Sequence, residues 1–386
     1  MRIFLTGATG FLGTVLLRDL LLKGHAVTAL VRPQEGLSAH DRLKKNLFDY
    51  DPQFFWDEKK EKNIAAVEGD TTERLFGLSQ DSYKKITDST DIIVHNAACT
   101  ALETDWKVLE AVNIGGTREA IEFASRTRSK SLMHVSSAYV AGERSGVVYE
   151  GELLLTEGFR NGYERSKAVA ENEVREAAAS GRIRFLTVRP SIIVGDSQSG
   201  YMCPNHHFFD LIFRLLTIRR MIQNKTGDFR FRIPGDPNAT KNFVPVDHVS
   251  GLMCLLIETP SAWGKTFHLT DPAPIRLEML NLYVRMALDW PDLTWCPQKE
   301  IKELSPLEKR FFRSIQIYEK YFWKEAFFDQ TQLKSVLGTK LPIPELMSQE
   351  MIDRMVKFIQ LKYANRDIAR KQKFSQKNGF LDELAA

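Results

Sequence analysis

The sequence predicts an α/β fold, in which a doubly wound, parallel Rossmann sheet is followed by a smaller, mostly helical C-terminal region. Three observations support this class. Short runs that are apolar nearly throughout alternate with helical patterns over residues 1–200, as expected of parallel strands buried on both faces. A cluster of glycines at residues 7–13 separates the first such run from the first helical pattern. Beyond Gly195, longer helical runs rich in aromatic residues replace the alternation.

The alternating part contains strands and helices at regular intervals. Strands are predicted at residues 3–5, 26–31, 64–68, 91–95, 132–137 and 184–188. Helices are predicted between them at residues 11–22, 40–48, 106–126 and 163–179. Because the carboxyl ends of parallel strands meet at one edge of a sheet, we expect the ligand to bind at that edge.

The second half of the chain has a different pattern. Helices are predicted at residues 206–222, 244–257, 277–288 and beyond 305, with one strand at 229–232. We therefore predict a dinucleotide-binding domain with the catalytic residues over 1–200. A mainly helical substrate-binding region is predicted over 201–380, and strands from about 240–270 could return to the first domain.

Composition narrows the class of protein. The 386 residues are 43% hydrophobic, and 53 basic against 49 acidic residues give a net charge of +4, too mild to suggest a nucleic-acid partner. No apolar run reaches the length of a membrane span, and the first residues already form a strand, so we expect no signal peptide. The widely spaced cysteines predict neither disulfides nor a metal site, which favours a reducing, cytoplasmic location. They are Cys99, Cys203, Cys254 and Cys296.

A basic region lies near the C-terminus, where residues 354–377 contain eight basic residues and one acidic residue. A solvated helix face and tail is the favoured interpretation. The alternative is contact with an anionic lipid surface, as in a peripheral membrane protein, or with an acidic carrier.

The glycine cluster predicts a phosphate-binding turn. A strand that turns through glycines into a helix N-terminus presents backbone N–H groups and the positive end of the helix dipole to an anion. The spacing is G-x-x-G-x-x-G, which favours the short-chain dehydrogenase variety of the Rossmann unit over a purely structural turn. The residues expected to bind the cofactor here are Gly7, Thr9, Gly10, Phe11, Leu12 and Gly13.

The end of the second strand indicates which dinucleotide binds. Arg32 stands where an NAD-specific site would place an acidic residue for the ribose 2′-hydroxyl, and a basic side chain accommodates a 2′-phosphate instead. NADPH is therefore the predicted cofactor, with Arg42, Lys44 or Lys45 as candidate helpers. The alternative is an arginine that simply faces solvent at a strand end.

Tyr163 and Lys167 form the second motif. Residues four apart lie on one face of a helix, so the phenol and the ammonium are expected in one site. A tyrosine with a pKa of about 10 is a weak acid–base group at neutral pH, and a nearby cation should lower that pKa. A tyrosine and a lysine at this spacing often occur by chance. Here they follow the glycine turn and the strand-end serines Ser136 and Ser137, and that combination indicates a catalytic site.

Taken together, these motifs resemble the extended short-chain dehydrogenases/reductases. Within that group the chain is most similar to fatty acyl-CoA reductases and to thioester reductase domains of carrier-protein enzymes. The resemblance covers residues 1–270, and segments 134–142 and 189–197 favour acyl reductases over sugar epimerases. It rests on residues 6–13, 30–32, 95–98, 113–117, 134–142, Tyr163 with Lys167, and 188–197.

The resemblance implies catalytic roles. Ser137 would hydrogen-bond the substrate carbonyl oxygen, with Ser136 as the less favoured candidate, and Tyr163 would donate a proton to the developing oxyanion. Lys167 would bind the nicotinamide ribose and tune Tyr163. Asn113 matches the asparagine that holds an active-site water or a helix kink.

The resemblance also implies further contacts with the cofactor. Asp70 would meet the adenine, Ala97 the ribose side, and the segment with Pro190, Ile192 and Ile193 the nicotinamide. The implied reaction is NADPH-dependent reduction of an acyl thioester, carried by CoA or an acyl carrier protein, to an aldehyde. A second hydride would give an alcohol if the aldehyde stays bound, which the sequence does not decide.

Alternative functions and assignments remain open at this stage. A nucleotide-sugar epimerase or dehydratase, a ketone reductase and a non-catalytic NADPH sensor share parts of the pattern. The aromatic helix at 208–222, with Tyr201 and Met202, fits an acyl channel and core packing equally well. Arg214, Arg219 and Arg220 could meet CoA phosphates or an acidic carrier. Two other features were interpreted structurally: Cys99 as an inert thiol and the histidines at 206–207 as neighbours of the aromatic helix rather than metal ligands.

Overall fold

The computed structural model describes residues 1–54, 56–156, 158–203, 207–222, 230–345 and 347–374, with side chains described as far as residue 362. Its centre is a parallel sheet of seven strands in the order β12-β7-β5-β4-β1-β2-β3. The predicted Rossmann-type α/β class is confirmed. The sheet strands are β1 (Arg2–Thr6), β2 (Ala26–Val31), β3 (Ile64–Glu68), β4 (Ile92–His95), β5 (Ser131–Val135), β7 (Arg184–Pro190) and β12 (Lys265–Leu269).

Helices cover the sheet, and six of the seven helices predicted with bounds, all but the one at 106–126, begin and end within two residues of those bounds. The helices that follow sheet strands are α1 (Phe11–Leu22), α2 (Ala39–Tyr50), α3 (Glu58–Lys62), α4 (Gln80–Ser89), α5 (Trp106–Leu109), α6 (Gly116–Arg126) and α7 (Gly162–Ala179). Later in the chain come α8 (His207–Ile222), α9 (Val246–Ile257), α10 (Leu277–Ala287), α11 (Pro306–Ser314), α12 (Thr331–Leu337) and α13 (Gln349–Phe374).

Short strands make four small sheets outside the main one. They pair β10 (Thr240–Lys241) with β13 (Ile275–Arg276), β11 (Phe243–Pro245) with β8 (Ile192–Val194), β14 (Leu293–Cys296) with β9 (Phe231–Pro234), and β15 (Phe327–Phe328) with β6 (Val147–Val148). Strand β9 begins two residues later than the predicted strand at 229–232, of which residue 229 lies outside the described residues.

Three predicted helices are interrupted in the structure. The helix predicted at 244–257 starts only at Val246, because Val244 pairs with Ile193 in the β11–β8 sheet. The helix predicted at 106–126 contains a π turn over Glu110–Gly115. In the aromatic region after 305, residues 327–328 form strand β15 instead of helix, since they pair with β6. In the first and third cases a strand pairing distant in sequence overrides the local helical pattern.

Two larger apolar clusters build the interior. In the first, the sheet packs against α1 and α9, so that a helix from beyond residue 240 covers the same sheet as the glycine turn. Strand β12 adds to the sheet next to β7. The division into domains near residue 200 stays a prediction, since β12 and α9 come from the second half of the chain.

The second cluster is formed by the later helices. The apolar side chains of α8, including Phe208, Phe209 and Ile212, are buried together with side chains from α10 and α13. This packing favours the core interpretation of the aromatic helix over an acyl channel. Among the residues that the structure describes, none of the helices is both long and apolar enough to cross a bilayer.

Candidate active site

The glycine turn after β1 has the properties of an anion site. Helix α1 begins at Phe11 with Gly10 as its N-cap residue, no side chain caps it, and its first turn contains no acidic residue. By contrast, the first turn of α2 is capped by the Ser38 side chain. The N–H groups of Leu12 and Gly13 in this first turn are therefore suited to bind a phosphate, which the helix dipole also favours.

Two glycines are required by close backbone approach. Gly7 has a φ of 72°, and a Cβ at this position would lie 2.7 Å from the backbone nitrogen of Ala97. A Cβ on Gly13 would lie 1.9 Å from the Gly7 carbonyl oxygen. The Gly10 N–H donates to that same carbonyl oxygen at 3.0 Å, which closes the turn. The glycine spacing thus fits a cofactor cradle that any side chain would fill.

The turn is held in place by side chains from three directions. The Thr6 hydroxyl accepts the backbone N–H groups of Asn96 and Ala97 at 3.2 and 3.1 Å, and the Asn96 amide donates to the Gly7 carbonyl at 3.2 Å. From α2, the Asn46 amide donates to the Thr9 carbonyl oxygen at 3.0 Å. Ala97, predicted to contact the ribose side, therefore lies directly against the glycine turn.

Asn113 lies in the π turn and fixes the loop that follows β4. It is buried, its amide oxygen accepts the Cys99 N–H at 2.8 Å, and its amide nitrogen donates to the Cys99 carbonyl at 3.0 Å and to the Ser166 hydroxyl at 2.8 Å. These bonds link the loop after β4 to α7. Asn113 lies in a helix irregularity of the kind that the resemblance implies, and its side chain connects the loop after β4 to α7.

The edge near β2 brings two arginines together. Arg32 is exposed just after β2, and the Arg42 guanidinium donates to the Arg32 carbonyl at 3.0 Å. The other two candidate helpers are engaged by acids, Lys44 by Glu61 at 2.8 Å and Lys45 by Asp49. Arg42 is thus the one of the three that lies beside Arg32 without an acidic partner among the described residues.

Asp70 lies at the same edge, two residues after β3. Its carboxylate accepts the N–H and the hydroxyl of Thr72, both at 2.9 Å. Because β3 is the neighbour of β2, Asp70 is at the position where the adenine end of a dinucleotide would extend beyond the sheet.

The two strand-end serines have different partners. Ser136 donates to Glu171 at 2.7 Å, and Glu171 accepts two hydrogen bonds from Arg189, at 2.9 and 2.7 Å. Burial would raise the pKa of Glu171, but the charge and hydrogen bonds of Arg189 outweigh it and hold that pKa below its usual range. Ser137 instead interacts with the phenol of Tyr163. The Ser136 hydroxyl is therefore occupied by its hydrogen bond to Glu171, and Ser137 is the serine that interacts with Tyr163.

Tyr163 and Lys167 lie on one face of α7, with Lys167 buried and Tyr163 half-buried, but the pKa of the phenol is not lowered as predicted. Burial raises the pKa of Tyr163 to about 12; the hydrogen bond with Ser137 opposes this rise, and Glu164 adds to it. Lys167 donates to the Val135 carbonyl at 2.6 Å, and its own burial lowers its pKa to about 8. The ammonium is thus occupied by a backbone carbonyl, and it does not lower the phenol pKa as predicted.

The segment predicted to face the nicotinamide continues from the end of β7. Pro190 is the last residue of β7, and Ile192 and Ile193 belong to β8, half-buried and paired with β11. Between them the Ser191 hydroxyl is buried without a hydrogen-bond partner among the described residues. Since β7 is next to β5, these residues lie beside Ser137 at the carboxyl edge of the sheet.

Sequence reasoning missed several supporting residues. Asn46, Glu171 and Arg189 act through contacts between elements that are far apart in the chain, and only Glu171 had a local signal. It follows Tyr163 and Lys167 at the same helical spacing, so its side chain shares their face of α7.

The glycine geometry leads to a first prediction. Gly13→Ala should weaken NADPH binding at least about 100-fold, because the new methyl group collides with the Gly7 carbonyl that shapes the phosphate cradle. Gly251→Ala, in α9, is the matched control, since a Cβ there meets no atom within 4 Å. Fluorescence titration with NADPH measures both affinities, and circular dichroism checks folding. Equal affinity for the two variants would contradict the proposed cradle.

Comparison with known proteins agrees with this geometry. The sequence model of the family described as Male sterility protein, an NAD-binding family, matches residues 5–253. The aldehyde reductase lnaA of Aspergillus flavus is 26% identical over 94% of this chain and 36% of its own length. The L-2-aminoadipate reductase large subunit of Penicillium chrysogenum is 32% identical over 73% of this chain and 20% of its own length. The chain therefore spans about a third or less of these curated relatives.

A solved structure extends the comparison to nearly the whole fold. The terminal R domain from the myxalamid PKS-NRPS biosynthetic pathway superposes with a TM-score of 0.80 and 27% identity, covering 94% of this chain and 90% of that domain. The family match spans more than half of the chain and contains the glycine turn, the serines and the Tyr163 helix. The chain belongs to the Male sterility protein family of NAD-binding, extended short-chain dehydrogenases/reductases of the thioester reductase type.

Proposed function

We propose that this protein uses NADPH to reduce an acyl thioester, carried by CoA or by an acyl carrier protein, to an aldehyde. The observation that carries the proposal is the interaction of Ser137 with the Tyr163 phenol, at the same carboxyl edge of the sheet as the glycine turn. The two relatives described above, an aldehyde reductase and an aminoadipate reductase, are in accord with it.

The residues present fit a dinucleotide. The uncapped N-terminus of α1 and the glycine cradle suit its pyrophosphate, while Arg32 and Arg42 suit a 2′-phosphate because neither is held by an acidic side chain among the described residues. Lys167 and the segment from Pro190 to Ile193 would hold the nicotinamide end. When bound, NADPH supplies the hydride that reduces the thioester carbon.

Ser137 and Tyr163 would manage the oxygen of the substrate. Both hydroxyls would hydrogen-bond the carbonyl oxygen, and these bonds would strengthen as negative charge develops there. A phenol with a pKa of about 12 is fully protonated at neutral pH, so Tyr163 carries the proton that the reductive direction requires. Ser137 is buried and Tyr163 half-buried, so both would act in surroundings less polar than water, which strengthens their hydrogen bonds to a developing charge.

The chemistry then requires one bond to break. Hydride addition and proton donation give a hemithioacetal, whose collapse returns the oxygen to a carbonyl, breaks the carbon–sulfur bond and leaves the thiol with the proton. The products are an aldehyde and a free thiol. A second hydride would give an alcohol if the aldehyde stays bound.

The basic side chains of α8 indicate where the carrier of the acyl group would bind. Of the three arginines considered at α8, Arg214 pairs with Asp210 and Arg219 donates to the Asp289 carbonyl, whereas Arg220 is exposed. Arg220 is therefore the one of these three best placed to meet CoA phosphates or an acidic carrier. A cytoplasmic location and a peripheral membrane contact of the basic region stay predictions, since the side chains of 363–377 lie outside the described residues.

The proposed reaction is tested directly. Purified protein mixed with NADPH and long-chain acyl-CoA, or an acylated carrier protein, should consume NADPH with release of thiol and formation of aldehyde. Loss of absorbance at the NADPH band and product analysis measure the reaction. Turnover of a nucleotide sugar, with no oxidation of NADPH by any acyl thioester, would contradict the proposal and favour an epimerase.

Removal of the phenol tests the proton donor. Tyr163→Phe should lower kcat by several orders of magnitude, roughly 1,000-fold or more, because the donor to the oxyanion is lost. NADPH affinity should remain near that of the wild type, since the ring is retained. Stopped-flow turnover and NADPH titration measure the two quantities. A variant that keeps a tenth or more of wild-type kcat would exclude Tyr163 as the donor.

Charge reversal at the strand end tests the choice of dinucleotide. Arg32→Glu should weaken NADPH far more than NADH, because only NADPH carries the 2′-phosphate that the arginine would meet. Lys45→Glu is the matched control, since Lys45 is an exposed cation of α2 already paired with Asp49. Binding titrations with both dinucleotides measure the selectivity. Equal losses for NADPH and NADH would remove the NADPH assignment.

A further inference from the structure

A buried carboxylate stands next to the proposed proton donor. Glu164 follows Tyr163 in the first turn of α7, and its side chain is 0% exposed. One of its oxygens accepts a hydrogen bond of 2.7 Å from the Tyr321 hydroxyl, and the other accepts the Arg160 N–H at 2.9 Å. The Asn161 amide donates to the Tyr321 hydroxyl at 2.8 Å and caps α7 through its oxygen. The first turn of α7 is thus fixed by a tyrosine from far along the chain.

A second tyrosine–glutamate pair holds the other half of the site. Ser137 starts a short 3-10 helix, Ala138–Ala141, in which the Tyr139 hydroxyl donates to the Glu325 carboxylate. The rings of Tyr139 and Tyr321 meet edge to face with centroids 5.5 Å apart. Tyr321 and Glu325 belong to one segment, residues 316–325, which therefore touches the elements of both Ser137 and Tyr163.

We propose that Tyr321 and Glu164 are positioning residues for the Ser137–Tyr163 pair, so that the segment 316–325 belongs to the active site as its support. The proposal rests on the proposed function, because its turnover test uses the thioester reaction. Tyr163 is next to Glu164, which accepts a hydrogen bond from Tyr321 of this segment. Ser137 is two residues from Tyr139, which donates a hydrogen bond to Glu325 of the same segment. Loosening the segment should change the spacing of the two hydroxyls while leaving the glycine turn untouched.

Glu164 also acts on the charge state of the donor. Tyr163 shares its face of α7 with Lys167. Burial, Glu164 and Cys99 raise the pKa of the phenol, and the interaction with Ser137 lowers it. Burial raises the pKa of Glu164 itself, while Arg160 and the Tyr321 hydroxyl oppose that rise and favour its ionised form. A negative charge at this position adds to the effect of burial, and both favour the protonated phenol that a proton donor needs.

Loss of one hydroxyl tests the positioning role. Tyr321→Phe should lower kcat roughly 10- to 100-fold, as expected for a small misplacement of catalytic groups, with NADPH affinity unchanged. The matched control is Tyr318→Phe, which removes a hydroxyl from the same segment that bonds to His207 and lies 3.4 Å from Asp210 instead. Thermal melts check folding. Equal kcat values for the Tyr321 and Tyr318 variants would overturn the proposal.

A charge-neutral variant gives a readout that needs no substrate. Glu164→Gln keeps the shape but removes the charge, so the pKa of Tyr163 should fall and the high-pH loss of kcat should move to lower pH. Carbon-13 NMR of ring-labelled tyrosines, with Tyr163→Phe assigning one signal among the ten, measures that pKa directly. An unchanged titration of Tyr163 would overturn the proposed influence of Glu164.

The two readouts separate failure of this proposal from failure of the proposed function. If the wild type reduces no acyl thioester, the proposed function falls, while the NMR titration still decides whether Glu164 controls Tyr163.

Discussion

The site depends on how one face of α7 packs against the carboxyl end of β5. Tyr163, Lys167 and Glu171 follow one another at intervals of four residues, so they share that face. Lys167 donates to the Val135 carbonyl, and Glu171 accepts from Ser136. These two bonds fix the register between helix and strand. As a consequence, the next strand-end residue meets the first residue of the helical triplet, and the two hydroxyls face each other.

A buried ion pair between Arg189 and Glu171 stabilises this register. Arg189 and Glu171 are both 0% exposed and bonded at 2.9 and 2.7 Å, so separating them would leave an uncompensated charge in the interior, a cost of about 3–5 kcal/mol. Arg189 also donates to the backbone carbonyl of Glu152. The ion pair therefore joins α7, β7 and the segment after β6 at a place where a shift of one residue would separate the hydroxyls.

The cofactor cradle has a different origin, which is steric. The turns after β1 and β4 approach so closely that Gly7 and Gly13 leave no space for a Cβ, and Thr6, Asn46 and Asn96 fix the approach with hydrogen bonds. The cradle and the hydroxyl pair lie at the same edge of one sheet because parallel strands direct their carboxyl ends to one side. The fold thus supplies proximity, while the side-chain bonds described above supply orientation.

The sequence by itself determined the order of strands and helices, the glycine turn and the helical spacing of Tyr163 and Lys167, since each depends on residues close together in the chain. Only the tertiary structure decided which serine is committed to Glu171, which basic residue lies beside Arg32, and that Lys167 is held by a backbone carbonyl. The tertiary structure also decided that the Tyr321 hydroxyl donates a hydrogen bond to Glu164. These outcomes depend on contacts between elements separated by dozens of residues, and on burial, which local patterns do not encode.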